Sequence, residues 1–252
     1  MINTAIYGAN GKMGQVLSKK IAQNPNFSAA CGVDKNPEKY QNNFPVYENP
    51  YSYKGELDLI IDFSHPSNLE QMLEFAKKRK VPTVIATTGY SEQQIASIKE
   101  ASSEIPVLYS PNMSLGVNIV NTILNQYSKL LNDAHDIEII EKHHNKKIDA
   151  PSGTALLFAN TINEALDNSK EFNYGREGKN CPRNDKEIGI HTVRGGAISG
   201  EHNIIFAGDH EVIEIKHTAL SKDVFALDAL KAGQTIVNMP VGFYAMQDIF
   251  NL

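Results

Sequence analysis

The feature that most constrains the fold is an alternation, through the first half of the chain, of short apolar runs with segments of helical periodicity. Leu57–Phe63 is nearly continuous in apolar residues, the pattern of a strand covered on both faces within a parallel sheet. Strand patterns also fall at Ile2–Tyr7, Phe27–Asp34, Pro82–Ala86 and Ile105–Tyr109, and helical ones at Lys12–Ala22, Leu69–Arg79 and Ser91–Ala101, the last opened by Ser91 as N-cap. Strand and helix in turn build βαβ units, so a doubly wound sheet is expected.

After Pro111 the rhythm changes. Leu115–Leu131 fits a long helix, Asp136–Glu141 a strand, and Ser152 caps a helix running through Ala165. Residues 168–187 are polar, contain glycines and Pro182, and read as a long loop. Strand patterns at Ile188–Arg194, Glu201–Ala207 and Val212–His217 are separated by Gly195-Gly196 and Gly208-Asp209-His210, which favours hairpin-like antiparallel pairing. Asp223–Ile236 and a short segment near Phe243–Phe250 return to helix. The expected class is α/β: a Rossmann-like doubly wound parallel sheet, with a second α+β domain carrying a mixed or antiparallel sheet and a boundary near Pro111.

Gly8-Ala9-Asn10-Gly11-Lys12-Met13-Gly14 follows the first strand and opens the first helix. Glycines there let the backbone turn tightly against a pyrophosphate, whose charge is stabilised by N–H groups at the helix N-terminus. Asp34 ends the second strand, where a carboxylate can bind a ribose 2′-hydroxyl, while Lys35 beside it could pair with a 2′-phosphate. NADH and NADPH both stay open as cofactors. The spacing is G-x-x-G-x-x-G, with Asn10 where the usual fingerprint has its second glycine. Thr87-Thr88-Gly89 and Ser110-Pro111-Asn112-Met113 follow later strands, at carboxyl ends that line a ligand crevice in such sheets.

The second informative segment is Glu141–Ala155, which packs His143, His144 and three lysines, Lys142, Lys146 and Lys147, into six positions of a chain with net charge −5. Such a cluster makes a local anion site, and backbone N–H groups at Ser152-Gly153-Thr154 would add to it. A small dicarboxylate fits that arrangement, and His143 or Lys147 can deliver a proton. Adjacent histidines lack metal-ligand spacing, so no metal is expected. The acidic balance argues against nucleic acid or anionic membrane as partners. No run approaches the roughly 18 apolar residues of a membrane span, and the start lacks a signal-peptide pattern. The two cysteines, Cys31 and Cys181, lie far apart and point to a reducing cytoplasm.

Glu138-x-x-Glu141-x-His143-His144-x-x-Lys147-x-Asp149-Ala150-Pro151-Ser152-Gly153-Thr154-Ala155 resembles the signature of the 4-hydroxy-tetrahydrodipicolinate (dihydrodipicolinate) reductase family. The likeness extends to Gly8-x-x-Gly11-x-Met13-Gly14, Asp62-Phe63-Ser64, Thr87-Thr88-Gly89, Asn112-x-Ser114-x-Gly116-Val117-Asn118, Val193-Arg194-Gly195-Gly196 and Gly200-Glu201-His202. It implies an NAD(P)H-dependent oxidoreductase of the diaminopimelate route to lysine, which passes a hydride to C4 of a cyclic unsaturated dicarboxylate after water is lost. His143 and Lys147 match the family's proton-donating pair, and His144, Lys147 and Gly153-Thr154 its carboxylate contacts. Gly8 through Met13, Asp34, Ala86 through Thr88, and Ser110 through Met113 match its cofactor contacts. A homotetramer built through the second domain's sheet is implied, with residues 1–112 and 223–252 forming the dinucleotide-binding domain and 113–222 the substrate-binding and oligomerisation domain. Lys12, Ala86 and Ser221-Lys222 depart from the family's common residues, an arginine, a glycine and a Ser-Arg pair.

Two other readings are compatible with parts of the chain. One is a different two-domain NAD(P) dehydrogenase acting on a small carboxylate, although neither cysteine is placed as a semialdehyde nucleophile. The other is a dinucleotide sensor without catalysis, for which the basic cluster has no purpose and whose DNA-binding form would need a basic helix-turn-helix.

Overall fold

The computed structural model describes residues 1–250 and 252. In chain order the elements are β1 (Ile2–Tyr7), α1 (Lys12–Ala22), β2 (Phe27–Val33), β3 (Val46–Tyr47), β4 (Leu59–Asp62), α2 (Leu69–Arg79), β5 (Thr83–Ile85), α3 (Glu92–Ala101) and β6 (Pro106–Tyr109). They continue with α4 (Leu115–Asn132), β7 (Asp136–His143), α5 (Gly153–Ala165), β8 (Glu171–Asn173), β9 (Glu187–Arg194), β10 (Glu201–Ala207), β11 (Val212–Thr218), α6 (Asp223–Ile236), β12 (Gly242–Tyr244) and α7 (Met246–Phe250). The chain divides into two compact units, one of Met1–Leu115 with Lys222–Leu252 and one of Gly116–Ser221. Among the described residues no helix is long and apolar enough to cross a membrane.

The first unit holds a seven-stranded sheet in the order β12-β6-β5-β4-β1-β2-β3, with every pairing parallel. The order runs outward from β1 in both directions, so the switch point lies between β1 and β4, where open α/β sheets bind their ligands. Ile60 and Ile61 of β4 are fully buried, one contributing to each of two cores on opposite sides of the sheet. That is the burial expected of a near-continuous apolar strand. Ser91 caps α3 through a capping box with Gln94.

In the second unit the sheet order is β11-β10-β7-β9-β8. Here the hairpin expectation needs correction: β10 is antiparallel to β7 and β11, but β9 is parallel to both β7 and β8. Gly195-Gly196 therefore carries the chain from β9 across β7 to β10 instead of closing a hairpin. Residues 168–187 are not wholly loop, because Glu171–Asn173 adds an edge strand to β9. At the other end of the chain, Gly242–Tyr244 is an edge strand on β6, and the last helix begins only at Met246. Both corrections concern three-residue strands held by partners distant in sequence, which no local periodicity announces. β7 and β10 alternate buried and half-buried residues, and α4 and α5 pack on the buried face around Ile137, Ile139, Ile204, Phe206 and Phe158.

Candidate active site

The glycine-rich turn sits at the switch point of the first sheet. Gly8 has φ +75°, and a Cβ there would lie 2.6 Å from the Phe63 carbonyl oxygen, so glycine alone lets the ends of β1 and β4 approach. At Gly14 a Cβ would stand 2.1 Å from the Gly8 carbonyl oxygen, which makes this the close helix–strand contact of the dinucleotide fingerprint. Gly11 is the N-cap of α1 and supplies no side-chain cap to its first turn. Asn10 is 1% exposed and turns away from the turn's mouth. Its amide donates to the Asn36 and Pro37 carbonyls at 2.7 and 3.0 Å, and its Oδ1 accepts from Asn42 at 2.9 Å. Asparagine in the second glycine's place thus braces the segment after β2.

Asp34 belongs to the same brace. Its Oδ2 accepts the Asn10 backbone N–H at 2.9 Å and its Oδ1 that of Asn36 at 3.0 Å. Lys35 is exposed, and Lys39, which sequence reading passed over, donates to the Asn10 carbonyl at 3.2 Å. Lys12 is exposed and Ala9 buried. Beyond the turn, a cavity of about 320 Å³ is lined by Met13, Phe63, Ala86, Thr87, Thr88, Asn112 and Met113 among others. The sequence-predicted cofactor residues after β5 and β6 therefore converge with the glycine turn. Ser110 lies beneath, its Oγ donating to the Asn112 carbonyl at 2.7 Å. Asp62, 1% exposed, accepts from the Ser64 N–H at 2.9 Å and from the Tyr90 hydroxyl at 3.1 Å, fixing the turn after β5. Burial pushes its carboxyl above the usual range, against the opposing hydrogen bonds of Ser64 and Tyr90.

The second unit gathers the other group. Glu141 and His143 are two residues apart on β7, so both side chains point to its buried face. Glu141 is fully buried, and His143 is 9% exposed. The His143 Nδ1 lies 2.6 Å from Glu141 Oε2. Arg194 of β9 donates through both terminal nitrogens to the same carboxylate at 2.8 and 2.7 Å, and the Ser152 N–H adds a bond of 2.9 Å. Burial alone would raise the Glu141 carboxyl, but Arg194, His143 and the Ser152 N–H hold it down at about 2. His143 is lowered, chiefly by burial, with Lys147 and Arg194 adding to the shift and Glu141 opposing it. The His202 ring stands edge-on to His143 with centroids 5.2 Å apart; burial first, then the charge of His143, lowers it to about 3.

The remaining members of the basic segment separate in role. Lys147 pairs with Asp149 at 2.8 Å, with side chains 20% and 60% exposed. His144 is half-buried, Gly153 is exposed, and Thr154 is half-buried in the first turn of α5. Ser152 is placed differently from the rest: its Oγ accepts from the Ala155 N–H at 3.2 Å and bonds His202 Nε2 at 2.8 Å. Its side chain is thus committed to capping α5 and to His202. The backbone of the segment is clamped by the turn after β9, with the Gly195 N–H on the His143 carbonyl at 2.9 Å and the Asn145 N–H on that of Gly196 at 3.2 Å. Sequence reading quoted Glu141, Arg194 and His202 but gave them no role. The period-two spacing of Glu141 and His143 was the available signal, whereas Arg194 arrives through a parallel pairing that spacing does not reveal.

A dinucleotide turn at the switch point of one unit, and a histidine held by a buried carboxylate beside a basic loop in the other, define a dinucleotide-dependent oxidoreductase built from two units. The sequence profile for "Dihydrodipicolinate reductase, N-terminus" matches residues 2–113, and that for the C-terminus of the same enzyme matches residues 116–250. This chain belongs to the dihydrodipicolinate reductase family. Relatives include the 4-hydroxy-tetrahydrodipicolinate reductases of Caldanaerobacter subterraneus subsp. tengcongensis, 48% identical over 99% of this chain and 98% of the relative, and of Clostridium tetani, 45% identical over 100% and 98%. The fold is shared with the dipicolinate-bound dihydrodipicolinate reductase of Paenisporosarcina sp. TG-14, at TM-score 0.80 and 23% identity over 98% of both chains. A myo-inositol dehydrogenase from Corynebacterium glutamicum resembles it less, at TM-score 0.60 and 15% identity over 96% of this chain and 90% of the other.

Proposed function

We propose that this chain reduces 4-hydroxy-tetrahydrodipicolinate to tetrahydrodipicolinate with NADH or NADPH, in the cytoplasmic diaminopimelate route to lysine. The observation that carries the reading is the buried Glu141–His143 pair beside Lys147, in a chain 45–48% identical to reductases over essentially their whole length. The residues of the glycine turn, Gly8 through Met13, hold the pyrophosphate, and Ala86 through Thr88 with Pro111 through Met113 line the cavity beside it, Ser110 supporting them from beneath. When bound, the dihydronicotinamide supplies the hydride that adds to C4 of the dehydrated, conjugated ring. The electron pair displaced from the C=C bond is taken up by a proton on the neighbouring ring carbon. His143 delivers that proton. Lys147, His144 and the N–H groups of Gly153 and Thr154 hold the carboxylates, the last two at the positive end of α5.

The direct test couples the purified protein to NADH and NADPH oxidation, with substrate made in situ by the preceding synthase. Oxidation dependent on the synthase is expected; none with either cofactor would remove the assignment. Cofactor choice rests on Asp34, whose carboxylate accepts from a 2′-hydroxyl and repels a 2′-phosphate. Because Asp34 also holds the Asn10 N–H, Asp34→Ala is expected to weaken both cofactors, and NADH more, so that the NADPH-to-NADH affinity ratio rises several-fold. An unchanged ratio in binding titrations would show that Asp34 does not read the 2′ position. Finally, the half-buried face of the second sheet, with Ile140, Ile205 and the 42%-exposed Val193, supports a homotetramer, checked by light scattering in solution.

A further inference from the structure

Glu141 takes no step of its own in the proposed chemistry, yet five donors meet on its carboxylate: the Ser152 N–H, the Thr192 hydroxyl at 3.3 Å, both terminal nitrogens of Arg194, and His143 Nδ1. An ionised carboxylate only accepts, so Nδ1 must carry hydrogen and the exchangeable position of the ring falls on Nε2. The opposite edge of the ring faces Gly200. A Cβ at Gly200, just before β10, would lie 3.1 Å from Nε2, so only glycine there keeps the backbone from crowding that nitrogen. We propose that Glu141, clamped by Arg194, is the positioning residue that holds His143 in its Nδ1-protonated form and thereby assigns Nε2 as the atom that delivers the proton.

The inference rests on the proposed role of His143 as the acid, but it can be read without turnover. The charged and titratable groups facing His143 are Glu141 on its own strand, Lys147 in the following loop, Arg194 on β9 and His202 on β10. Glu141 is the one group among them that favours the imidazolium; Lys147 and Arg194 disfavour it. Removing its charge therefore lowers the histidine's affinity for a proton, and an acid active in its protonated form loses activity at lower pH.

Nitrogen NMR of the ring in the unmodified protein, above its titration, should show the Nδ1–H tautomer; a dominant Nε2–H signal overturns the proposal whatever any variant does. In Glu141→Gln the amide can donate to Nδ1, so the tautomer is expected to switch. We expect kcat to fall by about 100-fold or more, as for a catalytic histidine held in the wrong tautomer. The alkaline limb of kcat/KM should move to lower pH, with NADH affinity within about twofold of the parent. Glu141→Asp retains charge and acceptor and should restore the limb. An unmoved tautomer and limb in a folded Glu141→Gln protein would reduce Glu141 to an anchor between β7, β9 and α5. Normal turnover of His143→Gln would instead sink the acid role while leaving the tautomer result intact.

Discussion

Lys147→Ala is expected to lower kcat by about 100- to 1000-fold while NADH binding stays within about twofold, a loss of about 3–4 kcal/mol of transition-state stabilisation. The asymmetry follows from placement: Lys147 lies in the loop after β7, in the second unit, and the dinucleotide turn is in the first. In the structure its ammonium already holds a carboxylate, that of Asp149 at 2.8 Å. Asp149 is 60% exposed, and an ion pair with so exposed a partner is weak, so a substrate carboxylate can take its place. Lys147→Arg separates the possible duties, because guanidinium keeps the charge but does not give up its proton. Recovery in that variant would mark Lys147 as a carboxylate ligand, and continued loss would mark a proton donor. Steady-state kinetics with dinucleotide binding by fluorescence decides the matter, and an unimpaired Lys147→Ala enzyme would remove the residue from the site.

The second large effect is expected at His143. His143→Gln preserves approximate volume but cannot deliver a proton, so kcat should fall by about 100- to 10,000-fold, the range for general acids. Its pH signature has a definite sign. The acid works in its protonated form, so activity declines as pH rises through its pKa. Burial lowers that pKa in the free protein, and an added dianion raises it, so the limb in kcat should lie at higher pH than that in kcat/KM. In His143→Gln this limb should vanish from both profiles. Its persistence would assign it to another group.

These expectations rest on features that the sequence revealed unevenly. The long helices α1, α2, α4 and α6 were legible because each carries enough turns for apolar periodicity to show, and β4 because both faces are buried. The edge strands β8 and β12 were not, since three residues carry no period and their stability lies in partners dozens of positions away. The parallel entry of β9 beside β7 was invisible for the same reason. Within the site, the basic loop stood out by charge density alone. The role of Asn10 did not: its side chain serves the segment Asn36–Asn42, and only the folded contact explains why the fingerprint dispenses with its second glycine. Ser152 shows a converse limit, because the cap was predictable while its hydroxyl's commitment to His202 was not.

The dinucleotide unit is assembled from both ends of the chain. β12 pairs with β6, and Ala226, Ala229, Leu230 and Ile236 of α6 pack into the core with Ile6, Leu59 and Ile61. During synthesis, residues 1–115 leave the ribosome first, but α1 covers only part of one face of their sheet, through Leu17 and Ile21, and the rest waits for Asp223–Ile236. The second unit, continuous from Gly116 to Ser221, has no such wait. Domains usually complete themselves in the order in which they are made; here the insert can close before the dinucleotide unit that begins ahead of it.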